Sequence, residues 1–320
     1  MSKGRLIGWL SALGLLLAVA GCTVPQPPGA SPLRYRDQVF SNYTVTQDLQ
    51  YGSAPDNNNN PVALKLDLYQ PAGDTETSRP AVIWVHGGSF SGGDKSGGPS
   101  PILAQYFAEL GYVTASINYR LLATSPCTGS GGVTTECFNA AIAAQHDAQA
   151  AVRWLRANAS TYGIDPTRIA IGGESAGAIT ATAVGIHSDD PGTSGNPGYS
   201  STVGGFVSIS GGVPSGVFVD SHDSPGLLFS GTADPIVPYQ WSVQTAAAML
   251  NNGVIAFLEP LDGAGHVPWA QYQDLFKTQS DYFIYDVLDA AHAAGQPAAA
   301  GRSFNRMLKK EAKRFPRFAH

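Results

Sequence analysis

Charged residues are scarce in this 320-residue chain, at 13% of the total, and basic residues are the rarer sign over most of it. Between Cys22 and Gly301 there are 10 Lys and Arg residues against 23 Asp and Glu residues. A body with this balance repels a polyanion, which excludes nucleic acid as an expected partner. Because the stretch 302–320 holds seven basic residues and the single acid Glu311, we expect residues 296–320 to form a basic tail.

Cysteine is also scarce, since only Cys22, Cys127 and Cys137 occur. No Cys and His spacing of the kind that a structural zinc site requires is present, and we expect neither a metal nor a cofactor. Cys127 and Cys137 form an even pair once Cys22 is set aside. In an oxidising compartment a disulfide between them is favoured, with two free thiols as the alternative.

The longest apolar run of the sequence lies at the N-terminus and is too short to span a membrane comfortably. Lys3 and Arg5 precede the apolar stretch 6–20, and small residues then lead to Cys22. This order is typical of a secretory signal. A cysteine directly after a glycine here resembles the bacterial lipobox, whose thiol is acylated and becomes the mature N-terminus; an incidental cysteine after an ordinary signal is the alternative. We therefore expect residues 1–21 to be a lipoprotein signal peptide, and the protein to be exported and anchored to a membrane.

Beyond this segment the chain alternates between strand-like and helix-like patterns. The Pro-rich residues 22–40 are predicted to be a tether. Eight apolar or alternating runs bounded by turn residues follow, from NYTVTQDLQYG to VIAFLEPLDGAGH. The first two alternate like an antiparallel pair, whereas the later ones are continuously apolar, as strands covered on both faces are. With helical patterns at 138–159 and 239–253, residues 41–295 predict one α/β domain with an eight-stranded, mostly parallel sheet and helices on both faces.

One short motif carries the first chemical signal. The sequence RIAIGGESAGA, residues 168–178, contains G-x-S-x-G centred on Ser175. The motif alone is weak in a glycine-rich chain, but here a short strand precedes it and a helix of small residues follows. Strand, turn and helix form the setting of a nucleophile elbow, which presents the serine hydroxyl at the carboxyl edge of the sheet. We therefore predict that Ser175 is a nucleophile.

A serine that attacks a carbonyl creates an oxyanion, which needs preorganised N–H donors. Ala176, the residue after the nucleophile, can supply one backbone N–H. The sequence HGGSF after the third strand supplies an HGGG-type loop, and we assign its donors to Gly88 and Ser89, with Gly87 shaping the turn. Because Ser89 stands where a further glycine is usual, the choice between these donors stays open.

The segments HGGSF, INYRL, GGESAGA, GTADPIVP and GAGHVP, in this order, resemble the carboxylesterases and lipases of the α/β-hydrolase fold. The resemblance is greatest to compact hormone-sensitive-lipase-like esterases and to bifunctional feruloyl and acetyl-xylan esterases. It covers residues 41 to about 295. It implies an α/β-hydrolase fold with a minimal cap and an esterase that needs no cofactor.

In this fold the catalytic partners follow the serine in the order acid and then histidine. Asp234 ends an apolar strand 59 residues after Ser175, and His266 follows 32 residues later in a turn. We predict that Ser175, Asp234 and His266 form a catalytic triad. Asp223 and Asp262 are the alternative acids, more typical of solvated loops.

Five other residues also need an interpretation. Glu174 either contacts the site or is a buried, hydrogen-bonded carboxylate. Asp147 and Arg120 are expected to make polar contacts that stabilise the fold. Trp269 and Tyr239, each close to a triad residue in sequence, either border the pocket or pack.

We predict a serine carboxylic-ester hydrolase that acts through an acyl-enzyme on small-molecule or saccharide esters. The connection after the sixth strand is too short for a helical cap. The loop between Cys127 and Cys137 and residues 187–202 are polar. Short acyl groups or bulky alcohols such as sugars are therefore the favoured parts of a substrate. The alternatives are a lipase for longer chains, a peptidase of the same fold and an inactive binding module. The oligomeric state is left open.

Overall fold

The computed structural model describes residues 23–56, 58–122, 127, 133–186, 190–214 and 219–290. The predicted signal peptide, the predicted lipidation site Cys22 and the basic tail 296–320 lie outside these residues. Among the helices within the described residues, none is both long enough and apolar enough to cross a membrane.

Strands and helices alternate along the chain after an initial pair of strands. The strands are β1 (Tyr43–Pro55), β2 (Pro61–Pro71), β3 (Arg79–Val85), β4 (Val113–Ile117), β5 (Ile164–Glu174), β6 (Phe206–Ile209), β7 (Gly226–Gly231) and β8 (Ala256–Leu261). The helices are α1 (Pro99–Leu110), α2 (Thr135–Ala157), α3 (Ala159–Tyr162), α4 (Ala176–Ile186), α5 (Tyr239–Asn251) and α6 (Trp269–Val287).

The strands form one eight-stranded sheet in the order β1-β2-β4-β3-β5-β6-β7-β8. β1 pairs with β2, and β2 with β4, in antiparallel fashion, whereas β4, β3, β5, β6, β7 and β8 run parallel. The predicted eight-stranded, mostly parallel sheet is confirmed. Because parallel strands end at one edge, the loops after β3, β5, β7 and β8 all emerge beside one another.

Helices cover both faces of this sheet. One buried cluster joins α1 and α6 to one face, and a second cluster joins α2, α4 and α5 to the other. All residues of β3, β4, β6 and β7 are buried, which explains their continuously apolar sequences. β1 and the first half of β2 have many exposed residues, as their alternating pattern predicted.

The segment before β1 corrects one prediction. Its proline content indicated a free tether over residues 22–40, yet the described part packs against the domain. Val24 and Tyr35 are fully or almost fully buried with α1 and α6, and the Val24 N–H donates to Gln279 Oε1 at 2.6 Å. The Arg36 guanidinium donates to backbone carbonyls of this same segment. Apolar side chains and one buried cation spaced between the prolines therefore hold residues 24–36 as a strap, the name used below.

Candidate active site

The turn around Ser175 has a strained backbone and leaves no space for side chains at the flanking glycines. Ser175 lies between β5 and α4 with φ of 55°, a left-handed conformation that is unusual for a residue with a Cβ. A Cβ on Gly177 would lie 2.0 Å from the carbonyl oxygen of Val85, and one on Gly173 would lie 2.5 Å from the backbone of Gly177. The flanking glycines thus allow the helix to approach β3 and β5 closely.

The three predicted triad residues meet at the carboxyl edge of the sheet. The Nε2 atom of His266 lies 2.7 Å from the Oγ atom of Ser175. The Nδ1 atom of the same ring lies 2.7 Å from Oδ2 of Asp234. Both distances are those of hydrogen bonds. The structure therefore brings together serine, imidazole and carboxylate in one hydrogen-bonded chain.

Asp234 is held rigidly behind the imidazole. Its side chain is 0% exposed, whereas that of His266 is 16% exposed. The second carboxylate oxygen, Oδ1, accepts the backbone N–H groups of Ile236 and Val237 at 2.8 and 3.0 Å. These bonds fix the carboxylate plane and leave Oδ2 directed at His266. The alternative acid Asp262 instead lies in an exposed turn, 3.4 Å from the hydroxyl of Thr232.

The loop after β3 presents N–H groups beside the elbow. Gly88, Ser89 and Phe90 have φ of 124°, 53° and 59°, so the backbone turns sharply there. Within the described part of the chain, the N–H groups of Gly88, Ser89 and Ala176 have no hydrogen-bond acceptor. Free donors on this loop and at the start of α4 are the arrangement that an oxyanion requires.

Gly87 and Glu174 are joined by a direct hydrogen bond. The Gly87 N–H donates to Oε1 of Glu174 at 3.1 Å, and the hydroxyl of Ser100 donates to Oε2 at 2.7 Å. The Gly87 N–H is therefore occupied, and its place in the predicted oxyanion hole reduces to shaping the turn: a Cβ there would lie 3.0 Å from that of Ser175. Burial raises the pKa of Glu174 to about 7 against the opposing effect of its hydrogen bonds. Of its two interpretations, the buried, hydrogen-bonded carboxylate is the one that the structure shows.

Aromatic contacts stabilise the loop after β3. The ring of His86 stacks on Tyr119 with 4.5 Å between centroids, and the Tyr119 hydroxyl donates to the carbonyl of His86 at 3.1 Å. The Phe90 carbonyl accepts the N–H of Leu122 at 2.7 Å. Burial lowers the pKa of His86, which disfavours its charged form, and the contacts of its ring with Tyr119 are those of a residue that packs under the loop.

The remaining residues that needed an interpretation are structural. Arg120 donates to both carboxylate oxygens of the fully buried Asp147, and Ser194 donates to the same carboxylate at 2.6 Å. Trp269 stacks on a phenylalanine of its own helix with 5.9 Å between centroids. Tyr239 packs against the core cluster that contains α5. Arg120 and Ser194 thus tie the β4–α2 connection and the segment after α4 to Asp147 of α2, as expected of fold-stabilising contacts.

Residues 190–202 and the predicted disulfide both contact α2. The backbone of Ser194 pairs with Ser53 of β1, and arginines of α2 donate to carbonyl groups of residues 190–202. The disulfide between Cys127 and Cys137 is present at the start of α2. Exposed apolar side chains follow the carboxyl ends of β4 and β7: Leu121, Val133, Phe138 and Ile236.

The described part of the connection after β6 forms no cap over the elbow. Residues 210–225 join β6 to β7. The Ser242 hydroxyl donates to the carbonyl of Gly211 at 2.5 Å, and the Thr245 hydroxyl accepts the N–H of Val213 at 2.9 Å. Two side chains of α5 thus hold the start of this connection against the body.

Within the described ranges, no group of three or more His, Cys, Asp or Glu side chains is arranged to hold a metal ion.

Two contacts near the triad were not predicted from the sequence. Ser100 lies at the start of α1 and bonds to Glu174, and Ser210 follows β6 and bonds to the loop of His266. Neither serine belongs to a recognisable motif. Only the folded chain shows that residues 74 and 57 positions apart are in contact.

Comparison with known proteins finds sequences and structures that are similar to this chain. The BD-FAE family model matches residues 66–204. The probable carboxylic ester hydrolase LipM of Mycobacterium tuberculosis is 29% identical over 181 residues, which are 57% of this chain and 37% of that protein. The chain spans about a fifth to two fifths of the length of the curated relatives it matches.

Solved structures extend the likeness over most of the domain. A truncated carbohydrate esterase from gut microbiota superposes with a TM-score of 0.63 at 22% identity, over 83% of this chain and all of that one. Esterase 2 of Thermogutta terrifontis, a planctomycete, gives 0.63 at 23% identity, over 80% of this chain and 96% of that one. The chain therefore has the α/β-hydrolase fold, and part of it is similar in sequence to a probable carboxylic ester hydrolase.

Proposed function

We propose that the protein is a carboxylic ester hydrolase that uses Ser175 as nucleophile, His266 as general base and Asp234 as the residue that orients the imidazole. The observation that carries this proposal is the continuous hydrogen-bonded chain from Oγ to the buried carboxylate, beside unpaired N–H groups. An inactive binding module has no need of this alignment. The names of the relatives, carboxylic ester hydrolase and carbohydrate esterase, support the same reaction.

In the acylation step Nε2 of His266 takes the proton of the Ser175 hydroxyl as Oγ attacks the ester carbonyl. The imidazolium that forms is stabilised by Oδ2 of Asp234, which stays ionised. The negative oxygen of the tetrahedral intermediate accepts N–H groups from Gly88 or Ser89 and from Ala176. His266 then gives the proton to the departing alcohol, leaving an acyl-enzyme.

Deacylation repeats these steps with water as the nucleophile. His266 removes a proton from the water as its oxygen attacks the acyl carbonyl, and the second tetrahedral intermediate uses the same N–H donors. Collapse breaks the bond to Oγ, and the imidazolium returns the proton to Ser175. The net change is one ester and one water converted to an acid and an alcohol.

The substrate class that we propose is an ester with a short acyl group or a bulky alcohol such as a sugar. The connection after β6 offers no cap in its described part, so little apolar area rewards a long acyl chain at ~0.8 kcal/mol per buried methylene. We place the alcohol beside the exposed side chains of Leu121, Phe138 and Ile236, which follow the carboxyl ends of β4 and β7. Esterase 2 of Thermogutta terrifontis has been solved with propionate bound, which supports a short acyl group.

Covalent labelling tests the nucleophile directly. We expect a fluorophosphonate probe to label the full mature chain once, and Ser175→Ala to abolish the label and lower kcat by at least ~10⁴-fold. Ser208→Ala is the matched control, because that buried serine lies on β6 and has no hydrogen-bond partner among the described residues. Labelling of the Ser175→Ala variant would refute the assignment.

We further propose that the protein is exported and anchored through a lipid on Cys22. The N-terminal sequence supports this, as argued above. Cys22→Ala should abolish the incorporation of labelled palmitate, because it removes the thiol that is acylated. Incorporation of palmitate by that variant at the wild-type level would contradict the proposal.

A further inference from the structure

The loop that carries His266 has no regular secondary structure and must be held by its neighbours. Towards the acid, the N–H of Ala233 donates to the carbonyl of Ala264 at 3.0 Å. A Cβ on Gly231 would lie 2.3 Å from two carbonyl oxygens of this loop, so β7 and the loop are in close contact. The side of the loop that faces the elbow needs a separate support.

Ser210 supplies that support. It follows β6 directly and is 1% exposed. Its Oγ accepts the backbone N–H of Val267 at 2.9 Å, and Val267 is the residue after His266. The preceding residue, Ile209, accepts the N–H of Ser175 at 2.9 Å through its carbonyl oxygen. Ser175 and His266 are therefore linked through two consecutive residues, 209 and 210.

The backbone at both ends of this contact is strained. Ser210 has φ of 57° and Val267 has φ of 42°, values that disfavour a residue with a Cβ, most of all a β-branched one. Glycine would adopt the Ser210 conformation without cost, and the two residues that follow are glycines. A serine at this position has a steric cost, and the hydrogen bond to Val267 is the benefit that the structure shows for it.

We infer that Ser210 is a positioning residue, which holds the His266 imidazole in line with the Ser175 hydroxyl by fixing the Val267 N–H. The inference rests on the proposed function, since it concerns the geometry of the same reaction. Ser210 touches neither substrate nor a reacting atom. Its effect comes through the placement of the base, and displacement of a reacting group by about 1 Å can cost ~10²-fold in rate.

The test uses two variants that both remove the hydroxyl but differ in the backbone strain that they leave at residue 210. Ser210→Ala removes the hydroxyl and keeps the strained Cβ, whereas Ser210→Gly removes the hydroxyl and relieves the strain. We expect kcat for a p-nitrophenyl ester to fall about 10- to 100-fold in both variants, with KM within about twofold because substrate contacts are intact. Fluorophosphonate labelling should slow in parallel, since it depends on the same base.

Two buried serines provide matched controls. Ser208 on β6 and Ser230 on β7 have hydroxyl groups without a hydrogen-bond partner among the described residues. Ser208→Ala and Ser230→Ala should leave kcat unchanged while making the same chemical deletion in the same sheet.

The outcomes separate this inference from the proposed function. If Ser210→Gly is at least as stable as wild type in urea and still loses kcat, the hydroxyl acts on the base rather than on folding. Wild-type kcat in Ser210→Gly, or losses that follow stability alone, would overturn the inference. A wild-type chain that neither hydrolyses esters nor takes the probe would overturn the proposed function instead.

Discussion

Backbone strain is concentrated at the proposed catalytic centre. Ser89, Phe90, Ser175, Ser210 and Val267 all have positive φ without being glycine. Each such residue costs on the order of 1 kcal/mol or more. The surrounding hydrogen bonds hold this strain in the folded state, so the nucleophile, the N–H donors and the base loop are in place before substrate arrives.

Gly177 should tolerate no side chain. Gly177→Ala would place a Cβ 2.0 Å from the carbonyl oxygen of Val85, so α4 must move away from β3 and the Ser175 hydroxyl must move with it. We expect a loss of about 3 kcal/mol or more in the free energy of unfolding, measured by urea denaturation, and loss of fluorophosphonate labelling. Gly97→Ala is the control, because a Cβ there meets only one atom at 3.6 Å. Equal stability of the two variants would contradict the steric account.

Glu174 should make stability depend on pH. Its pKa is raised from 4.5 to about 7 by burial, so the folded state binds a proton more tightly than the unfolded chain does. The resulting stabilisation is complete below pH about 4.5 and is lost as pH rises through about 7, a change of about 3 kcal/mol. Glu174→Gln removes the titrating group, so its stability relative to wild type should rise over this range in urea titrations. A difference between the two proteins that stays constant with pH would show that folding does not shift the pKa of Glu174.

At the scale of elements, the strap should stabilise the domain without affecting catalysis. The Arg36 side chain is buried and donates to the carbonyls of Pro27 and Gly29, to Ser31 and to Asp37. Arg36→Ala leaves these acceptors unpaired, which should cost about 1–3 kcal/mol in thermal or urea unfolding. The triad is untouched, so kcat should stay within about twofold.

Lys65→Ala is the control for the strap variant. The Lys65 side chain is 46% exposed and its ion pair with Asp48 spans 3.8 Å, so its removal should cost well under ~1 kcal/mol. Equal stability of the two variants would mean that the strap contributes nothing to the fold.

The sequence predicted those elements whose patterns are local. Alternation predicted β1 and β2, continuous apolar runs predicted the parallel strands, and the fixed order of the motifs predicted Ser175, Asp234 and His266. The strap was misjudged because its prolines dominate the composition, whereas its burial depends on α1 and α6. Ser100 and Ser210 could not be predicted, since a single serine gives no signal until the fold brings its partner close.

At the scale of the whole molecule, we expect activity to depend on acyl length. The value of kcat/KM for p-nitrophenyl esters should be greatest from acetyl to butyryl and should fall by C8 to C10, because in the described residues no cap encloses a longer chain. We expect no increase in activity when the substrate concentration exceeds its solubility limit. A maximum at C12 or longer would contradict this prediction and would indicate an apolar cover over the site.

The strap also determines how far the domain can stand from a membrane. Val24 is 2% exposed and lies only two residues after Cys22, a span of about 7 Å at full extension. With the anchor that we propose at Cys22, the domain has almost no slack and stays close to the bilayer. It would travel with its lipid in the plane of the bilayer, at a nearly constant height over the surface.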